Sequence, residues 1–400
     1  MSADVIKRAD QVITKTYKRF PVTLSRGKGC TLFDTANHAY TDFVAGIAVC
    51  NLGHSHPKIS QALSSQANAL WHVSNLYYTI PQVELASWLV DHSFADRVFF
   101  CNSGAEANEA AIKLARKYFK ERGKKDRFKI IAMEQSFHGR TMATLSATGQ
   151  DKIKEGFDPV LEGFDFVAFN DIGALKSKID ASTCAVLVEP IQGEGGVRCP
   201  DPGYLKEIRL ICDEIGALLI FDEIQTGMGR TGKLFAYEHF GVEPDIMTLA
   251  KALANGLPIG AMLAKEEVAS AFGPGAHAST FGGNPIVTAA ALEVCRTLVE
   301  ENIVDQGRAT GEYFKDWLFQ LKERHTCVED VRGIGLLLGM KLKFDGASIV
   351  TQCMQRGFFI NCIQDRILRF IPPLIVEKEE VDALITCLDE VLGQASNKSQ

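Results

Sequence analysis

Short, unbroken apolar segments alternate with longer amphipathic ones between about residues 97 and 265. The apolar segments have the length and composition of strands that are covered on both faces. Helical patterns, such as those over 105–123 and 203–216, separate several of them. This alternation is typical of a mainly parallel sheet with helices on both sides. The predicted strands are RVFFC (97–101), KIIAM (129–133), AVLVEP (185–190), ALLIFDE (217–223), IMTLA (246–250) and GAMLA (260–264).

The sequence pattern changes near residue 290, where a long helical segment leads into charged helices and short strands. We therefore predict an α/β fold, in which a large domain with a mainly parallel sheet covered by helices is joined by a smaller α+β domain. The predicted boundaries are 1–50 for an N-terminal segment that packs with the small domain, 51–288 for the large domain and 289–400 for the small C-terminal domain.

The composition of the chain limits the kinds of molecule that the protein could bind and the compartment in which it is expected. The 400 residues carry a formal net charge of −6, which argues against nucleic acid or an anionic membrane as partner. No apolar run reaches transmembrane length, and the first twenty residues predict neither a secretory signal nor a transit peptide. Eleven scattered cysteines without a C-x-x-C pair are typical of reduced thiols, so we expect a cytoplasmic protein.

Polar residues follow five of the predicted strands at the point where each strand ends. In open α/β sheets, ligands bind beyond the carboxyl ends of the strands, so these residues are expected to meet at one site. They are Asn102–Ser103–Gly104, the segments 136–140, 189–194 and 222–225, and Lys251.

Three of these features suit one cofactor. Lys251 at a strand end could simply reach water, and Ser103 with Glu106 could simply cap a helix, because both patterns are common. A buried Asp222, however, needs a partner, and the protonated ring nitrogen of pyridoxal phosphate would be one. An amine for the aldehyde, an acid for the ring nitrogen and a helix N-terminus for the phosphate together predict a pyridoxal-phosphate site. Phe137 is a candidate to stack on the ring.

Two other motifs point to different chemistry but lack its context. GMGRTG (227–232) matches a nucleotide-binding glycine pattern, yet residues 223–226 separate it from the apolar run that ends at Asp222, and Leu234 stands where a P-loop needs Ser or Thr. His54 and His56 have no further ligands at recognisable spacing, so we predict no metal site. The alternative that involves no pyridoxal phosphate is a nucleotide-binding module.

Long stretches of the chain resemble the class III, fold-type-I pyridoxal-phosphate-dependent aminotransferases. The resemblance covers nearly the whole chain and includes DFVAGIAVCNLGHSHP (42–57), VFFCNSGAEANEAAIKLARKY (98–118), EPIQGEGG (189–196) and STFGGNP (279–285). It is most specific over 218–253, which holds both Asp222 and Lys251.

The resemblance implies roles for individual cofactor-binding residues. Lys251 would form the Schiff base and shuttle the proton, and Asp222 would pair with the pyridine nitrogen. The other implied cofactor-binding residues are Ser103, Gly104 and Ala105 at the phosphate, Phe137 on the ring face, Gln225 near the phenolic oxygen, and Thr280 reaching the phosphate from the neighbouring subunit of a homodimer.

The resemblance also implies how substrates are held. Arg140, with Ser279 nearby, would bind the distal carboxylate, and Arg369 would be a second carboxylate site that Glu194 neutralises. The implied substrates are N2-acetylornithine and 2-oxoglutarate, in a ping-pong transamination belonging to arginine biosynthesis. Succinylornithine, succinyl-diaminopimelate, ornithine and 4-aminobutyrate stay open as alternative substrates, and a glutamate-semialdehyde aminomutase is a more distant alternative.

Overall fold

The computed structural model describes residues 2–398. The strands are β1 (Leu24–Lys28), β2 (Thr31–Asp34), β3 (Ala39–Asp42), β4 (Arg97–Cys101), β5 (Lys129–Met133), β6 (Phe164–Val167), β7 (Thr183–Val188), β8 (Leu218–Asp222), β9 (Ile246–Leu249), β10 (Gly260–Ala264), β11 (Val328–Ile334), β12 (Leu337–Leu342), β13 (Phe358–Phe359), β14 (Asn361–Ile363) and β15 (Ile367–Phe370). The helices are α1 (Ser2–Val12), α2 (Ala45–Ala48), α3 (Pro57–Ala67), α4 (Ile80–Asp91), α5 (Gly104–Glu121), α6 (Met142–Ala147), α7 (Ile172–Lys178), α8 (Tyr204–Ile215), α9 (Tyr237–Phe240), α10 (Glu266–Ala269), α11 (Pro285–Glu300), α12 (Ile303–Arg324), α13 (Ala347–Gln355) and α14 (Lys378–Lys398).

A seven-stranded sheet in the order β4-β10-β9-β8-β7-β5-β6 forms the centre of the fold. The pairs β6/β5, β5/β7, β7/β8 and β8/β9 are parallel, and β10 runs opposite to both of its neighbours. All six predicted strands belong to this sheet. The seventh, β6, was missed because its sequence, FDFV, is interrupted by Asp165 and lies half-buried at the edge of the sheet.

Both faces of this sheet are buried, which explains its unbroken apolar strands. In β5, β7 and β8, alternate side chains enter two different clusters. Ile130 and Leu187 pack with the alanine-rich face of α5, while their neighbours Ile131 and Val186 pack with Ile208 of α8. Since each fully buried aliphatic side chain contributes roughly 1.5–3 kcal/mol, this two-sided burial fixes the strand positions.

Two smaller four-stranded sheets complete the architecture. One has the order β11-β12-β15-β14 and is antiparallel, and the other has the order β1-β2-β3-β13. In the second, β13 from the C-terminal part pairs in parallel with β3 from the N-terminal part. The domain boundaries predicted from the sequence stay a prediction. Within residues 2–398, no helix has the length and apolar character needed to span a membrane.

The GMGRTG segment has a structural explanation. Arg230 is fully buried, and its guanidinium donates to the carbonyl oxygens of Leu336 at 2.9 Å and Pro372 at 2.6 Å. It also bonds Asn51 Oδ1. These partners precede β12, follow β15 and lie before α3, so one side chain ties three distant segments together. The segment does not form the tight strand-to-helix turn that phosphate binding would need.

We expect Arg230→Met to lower the free energy of unfolding by about 3 kcal/mol or more, because it leaves buried oxygen acceptors without a donor. Denaturant unfolding followed by circular dichroism measures this difference. The matched control is Arg308→Met on α12, an exposed arginine with only surface ion pairs, which should change stability by less than about 1 kcal/mol. Equal losses in the two variants would contradict the bridging role of Arg230.

Candidate active site

A cavity of about 430 Å³ opens at the carboxyl ends of β5, β7, β8 and β9 and beside the N-terminus of α5. Small-molecule sites are concave and have volumes of roughly 300–1,000 Å³. Nine residues to which the sequence analysis gave a role line it. They are Ser103, Gly104, Ala105, Phe137, Arg140, Glu194, Asp222, Gln225 and Lys251.

Asp222, the last residue of β8, is buried in the floor of this cavity. Its Oδ2 accepts hydrogen bonds from Asn108 Nδ2 and His138 Nδ1, both at 2.7 Å. Its Oδ1 accepts from the Ile224 backbone N–H at 3.1 Å. A carboxylate oxygen accepts about two hydrogen bonds, so Oδ1 keeps a lone pair for a further donor. Asp222 is therefore held in place by three hydrogen bonds and can still accept a further one.

Lys251 follows β9, the neighbour of β8 in the sheet. Burial lowers the pKa of its ammonium from the ordinary 10.5, and Arg369 acts in the same direction, while Glu194, Asp222 and Glu189 oppose the shift. Its φ is +42°, a left-handed conformation that is unfavourable for a residue with a side chain. Such strain persists where the surroundings enforce it and is common at active sites. A buried amine of lowered pKa is a nucleophile.

The N-terminus of α5 presents backbone amides to the cavity. Ser103 is the N-cap, and its Oγ accepts from Glu106 N at 3.2 Å. The Glu106 carboxylate does not bond Ser103 N, as a capping box would require, and instead accepts from Asn102 N at 2.5 Å. The first intrahelical bond is Ala107 N to Ser103 O, so the amides of Gly104 and Ala105 precede it and are available to an anion. A Cβ on Gly104 would meet Ile224 Cδ1 at 2.8 Å, which explains the glycine.

A buried ion pair lies on the other side of the cavity. Arg369 on β15 donates through Nη1 to Glu194 Oε1 at 2.5 Å and to Gln225 Oε1 at 3.2 Å. Gln225 Nε2 also donates to Glu194 Oε1 at 3.3 Å. Burial alone would raise the pKa of the Glu194 carboxyl, but Arg369, Lys251 and Gln225 together outweigh burial and hold that pKa below its ordinary value. Arg369 does not line the cavity and reaches it only through these two partners.

The remaining predicted residues lie at the rim or outside the cavity. Arg140 is exposed, with its guanidinium carbon 5.6 Å from the centre of the Phe137 ring. Ser279 Oγ accepts from Asn102 Nδ2 at 3.2 Å, next to the cavity but not in its lining. Thr280 is exposed and does not line the cavity of its own chain.

Three further residues of the site received no role from the sequence. His138 and Asn108 hold Asp222, and Asn108 also accepts from Thr248 Oγ1 at 2.7 Å. Glu189 lines the cavity with a buried carboxyl group. A signal was available for each of them. His138 and Glu189 stand in strand-end segments, and Asn108 is a polar residue on the buried, alanine-rich face of α5.

These residues fit pyridoxal phosphate. The amine of Lys251, the incompletely saturated carboxylate of Asp222 and the free amides of α5 border one cavity, and they match the aldehyde, ring nitrogen and phosphate of that cofactor. Within residues 2–398, no group of three or more His, Cys, Asp and Glu side chains could hold a metal ion.

Comparison with known proteins gives the family. The profile of the family Aminotransferase class-III matches residues 12–392. This chain belongs to the class-III aminotransferases. It is 53% identical to an acetylornithine aminotransferase of Methanocaldococcus jannaschii over 381 residues, which is 94% of this chain and 95% of that relative.

Solved structures of the family share its fold. The ornithine aminotransferase of Toxoplasma gondii superposes with a TM-score of 0.96 at 34% identity, covering 100% of this chain and 96% of that one. The acetylornithine aminotransferase of Elizabethkingia anophelis gives a TM-score of 0.88 at 32% identity, covering 98% and 99%. The predicted α/β fold of type I, the aminotransferase class and the pyridoxal-phosphate cofactor are confirmed. The roles of individual site residues stay predictions.

Proposed function

We propose that this aminotransferase transfers the δ-amino group of N2-acetylornithine to 2-oxoglutarate, giving N-acetylglutamate 5-semialdehyde and glutamate in arginine biosynthesis. The observation that carries this proposal is 53% identity over 381 residues to an acetylornithine aminotransferase. The solved structures do not separate the two branches, because the ornithine aminotransferase of Toxoplasma gondii is 34% identical and the acetylornithine aminotransferase of Elizabethkingia anophelis is 32% identical. Ornithine is the alternative substrate that the experiment below must exclude.

The cofactor supplies an electron sink that makes the proton on the carbon next to the transferred nitrogen removable. In the proposed assignment, Lys251 Nζ takes up that proton and returns it, because its lowered pKa makes the neutral amine more abundant than in an ordinary lysine. Asp222 holds a proton on the ring nitrogen through the free lone pair of Oδ1. Gly104 and Ala105 bind the phosphate through their amides, and Phe137 and Gln225 orient the ring.

The two substrates differ in the number of carboxylates. Acetylornithine carries one carboxylate, far from its reacting amine, and the exposed Arg140 at the rim of the cavity is suited to bind this carboxylate. 2-Oxoglutarate carries a second carboxylate beside the reacting carbon. Arg369 is suited to bind this second carboxylate once the ion pair between Glu194 and Arg369 has opened. We therefore propose that Glu194 neutralises Arg369 for the amine and gives it up to the keto acid.

We also propose that the active unit is a homodimer. Segment 70–83 exposes large apolar side chains, including Trp71, Tyr77, Tyr78 and Ile80, and patches of this kind mark interaction surfaces. The segment adjoins the loop that carries Thr280, because Asn75 Nδ2 donates to Ser279 O and Gly282 O. A second copy covering this patch would bring Thr280 toward the phosphate of its partner.

Eleven free cysteines suit the reducing cytoplasm, where we place the protein.

The first test is the visible absorption of the purified, cofactor-loaded protein. N2-Acetylornithine without keto acid should bleach the cofactor band, and 2-oxoglutarate should restore it. A band that responds to ornithine but not to N2-acetylornithine would overturn the substrate, and a protein that takes up no pyridoxal phosphate would overturn the function.

Lys251→Ala should lower turnover about a thousandfold or more, since it removes the proton-transfer group. The control is Lys265→Ala, because Lys265 lies before α10 and its Nζ is 3.7 Å from Asp245, away from the cavity. Steady-state kinetics of both variants provide the measurement. Comparable losses in the two would contradict the role of Lys251.

Glu194→Ala should slow the half-reaction of N2-acetylornithine roughly tenfold or more relative to that of 2-oxoglutarate, because Arg369 is left as an uncompensated buried charge. Single-turnover rates of the two half-reactions measure the ratio. Glu329→Ala serves as the control, since Glu329 pairs only with Lys341 on the surface. If Glu194→Ala leaves the ratio unchanged, the exchange of partners at Arg369 is wrong.

Sedimentation should show a particle of about twice the chain mass of 43.9 kDa. Thr280→Ala should weaken cofactor binding while leaving this mass unchanged, because the hydroxyl contributes a hydrogen bond and little apolar area. A cofactor-loaded, active monomer would contradict the contribution of Thr280 across subunits.

A further inference from the structure

Glu189 is a buried carboxyl group in the cavity to which neither the sequence nor the proposed mechanism gives a task. Only 5% of its surface is exposed, and it follows β7 at the edge of the sheet where the site lies. No salt bridge joins it to a basic side chain anywhere in the part of the chain that the structure describes. A charge removed from water without such a partner is unfavourable, so its retention calls for a local reason.

The two carboxylate oxygens of Glu189 bond two different loops. Oε2 accepts from the backbone N–H of Phe137 at 3.1 Å, and Oε1 accepts from the backbone N–H of Gly193 at 3.3 Å. Gly193 packs so closely on the Gln225 amide that an added Cβ would overlap Gln225 Oε1. Glu189 thus links the backbone of the proposed ring-stacking residue to the loop that supports Gln225.

We propose that Glu189 is a positioning residue whose ionised carboxylate sets the Phe137 loop and the Gly193–Gln225 contact at the spacing that the cofactor ring requires. The inference rests on the cofactor placement proposed above. In the described part of the chain the hydrogen bonds of the Glu189 carboxylate go to backbone amides, so in this proposal it acts through Phe137 and Gln225. An ionised carboxylate offers two strong acceptors, whereas a protonated carboxyl or a glutamine amide offers one together with a donor.

The proposal makes cofactor affinity depend on the ionisation of Glu189. Burial raises the pKa of this carboxyl from 4.5 to about 7, with Asp222 acting in the same direction and His138 and the two amides opposing. Lys251 also faces Glu189, and His138, Asp222 and Lys251 are the titratable groups around it. Above about pH 7 the Glu189 carboxylate accepts hydrogen bonds from the backbone amides of both Phe137 and Gly193. Below about pH 7 the carboxyl group is protonated, and one of these amides loses its acceptor.

The experiment compares cofactor dissociation constants of the cofactor-free full-length protein and of Glu189→Gln, titrated with pyridoxal phosphate and followed by fluorescence and absorbance. We expect Glu189→Gln to bind about tenfold more weakly at about pH 8.5, the loss of one charge-assisted hydrogen bond. At about pH 6 the ratio should approach one, because wild-type Glu189 is then neutral too. Taking the ratio cancels the titration of the cofactor itself.

Glu223 provides a matched control. It is buried, lies outside the cavity, and likewise accepts from two backbone amides, Ala236 N at 2.6 Å and Tyr237 N at 2.8 Å. Burial raises its pKa to about 8. Glu223→Gln should change the unfolding midpoint while leaving the dissociation constant at both pH values within about twofold of the wild type.

A ratio near one at both pH values would overturn the proposal, and so would a loss in Glu189→Gln that is equal at both, since that is general damage to packing. If Glu189→Gln does not fold, Glu189→Asp replaces it. Its shorter side chain cannot reach both amides, so wild-type affinity at about pH 8.5 in that variant would also overturn the proposal. A wild-type protein that binds no pyridoxal phosphate would contradict the proposed function as well, whereas normal wild-type binding with a ratio near one contradicts this inference alone.

Discussion

The arrangement of the site depends on an acid and an amine that are buried at the ends of adjacent parallel strands. Asp222 pairs in register with Thr248, and Lys251 comes three residues later, so the β8/β9 pairing sets their separation. Asn108 joins the two strands because it bonds both Asp222 and Thr248. An unpartnered carboxylate would be unfavourable in this apolar sheet, and Asn108 of α5 and His138 of the loop after β5 supply the partners of Asp222.

Another charged group of the site, Arg369, belongs to a different sheet. Arg369 lies on β15, and its bonds to Glu194 and Gln225 join the antiparallel sheet to the carboxyl ends of the parallel one. Arg230 reinforces the same junction, because Pro372, three residues after Arg369, is one of its acceptors. Any movement between the two sheets would therefore be transmitted to a carboxylate that borders the cavity, so the geometry of the cavity depends on packing distant from it.

Sequence patterns predicted the fold and placed Asp222 and Lys251 at one site, but they did not identify the groups that hold Asp222. The central strands were predictable because burial on both faces leaves unbroken apolar runs, and β6 was not, because Asp165 at an edge breaks its run. The rule for strand ends gave Asp222 and Lys251 from local pattern alone. Asn108 lies 114 residues from Asp222 and His138 lies 84 from it, so local pattern can mark their positions but cannot pair them with Asp222, which depends on tertiary contacts. Ser279 and Thr280 came only from family resemblance, since their loop has no periodicity.

The titratable groups of the cavity make the cofactor-free protein less stable near neutral pH. The pKa of Glu189 is raised to about 7, so between about pH 4.5 and 7 the folded state binds more protons than the unfolded state, and stability falls as pH rises. The pKa of Lys251 is lowered in the folded protein. Between this lowered pKa and the ordinary 10.5 the unfolded state therefore binds more protons, and stability falls as pH decreases. The Glu189 penalty is complete above about pH 7 and the Lys251 penalty begins as the pH falls below 10.5, so both act between these two pH values. A cofactor that binds only the folded state adds about 4 kcal/mol at a thousandfold excess over its dissociation constant, which offsets penalties of this kind. The same buried groups that destabilise the empty cavity therefore make its stability depend on the cofactor.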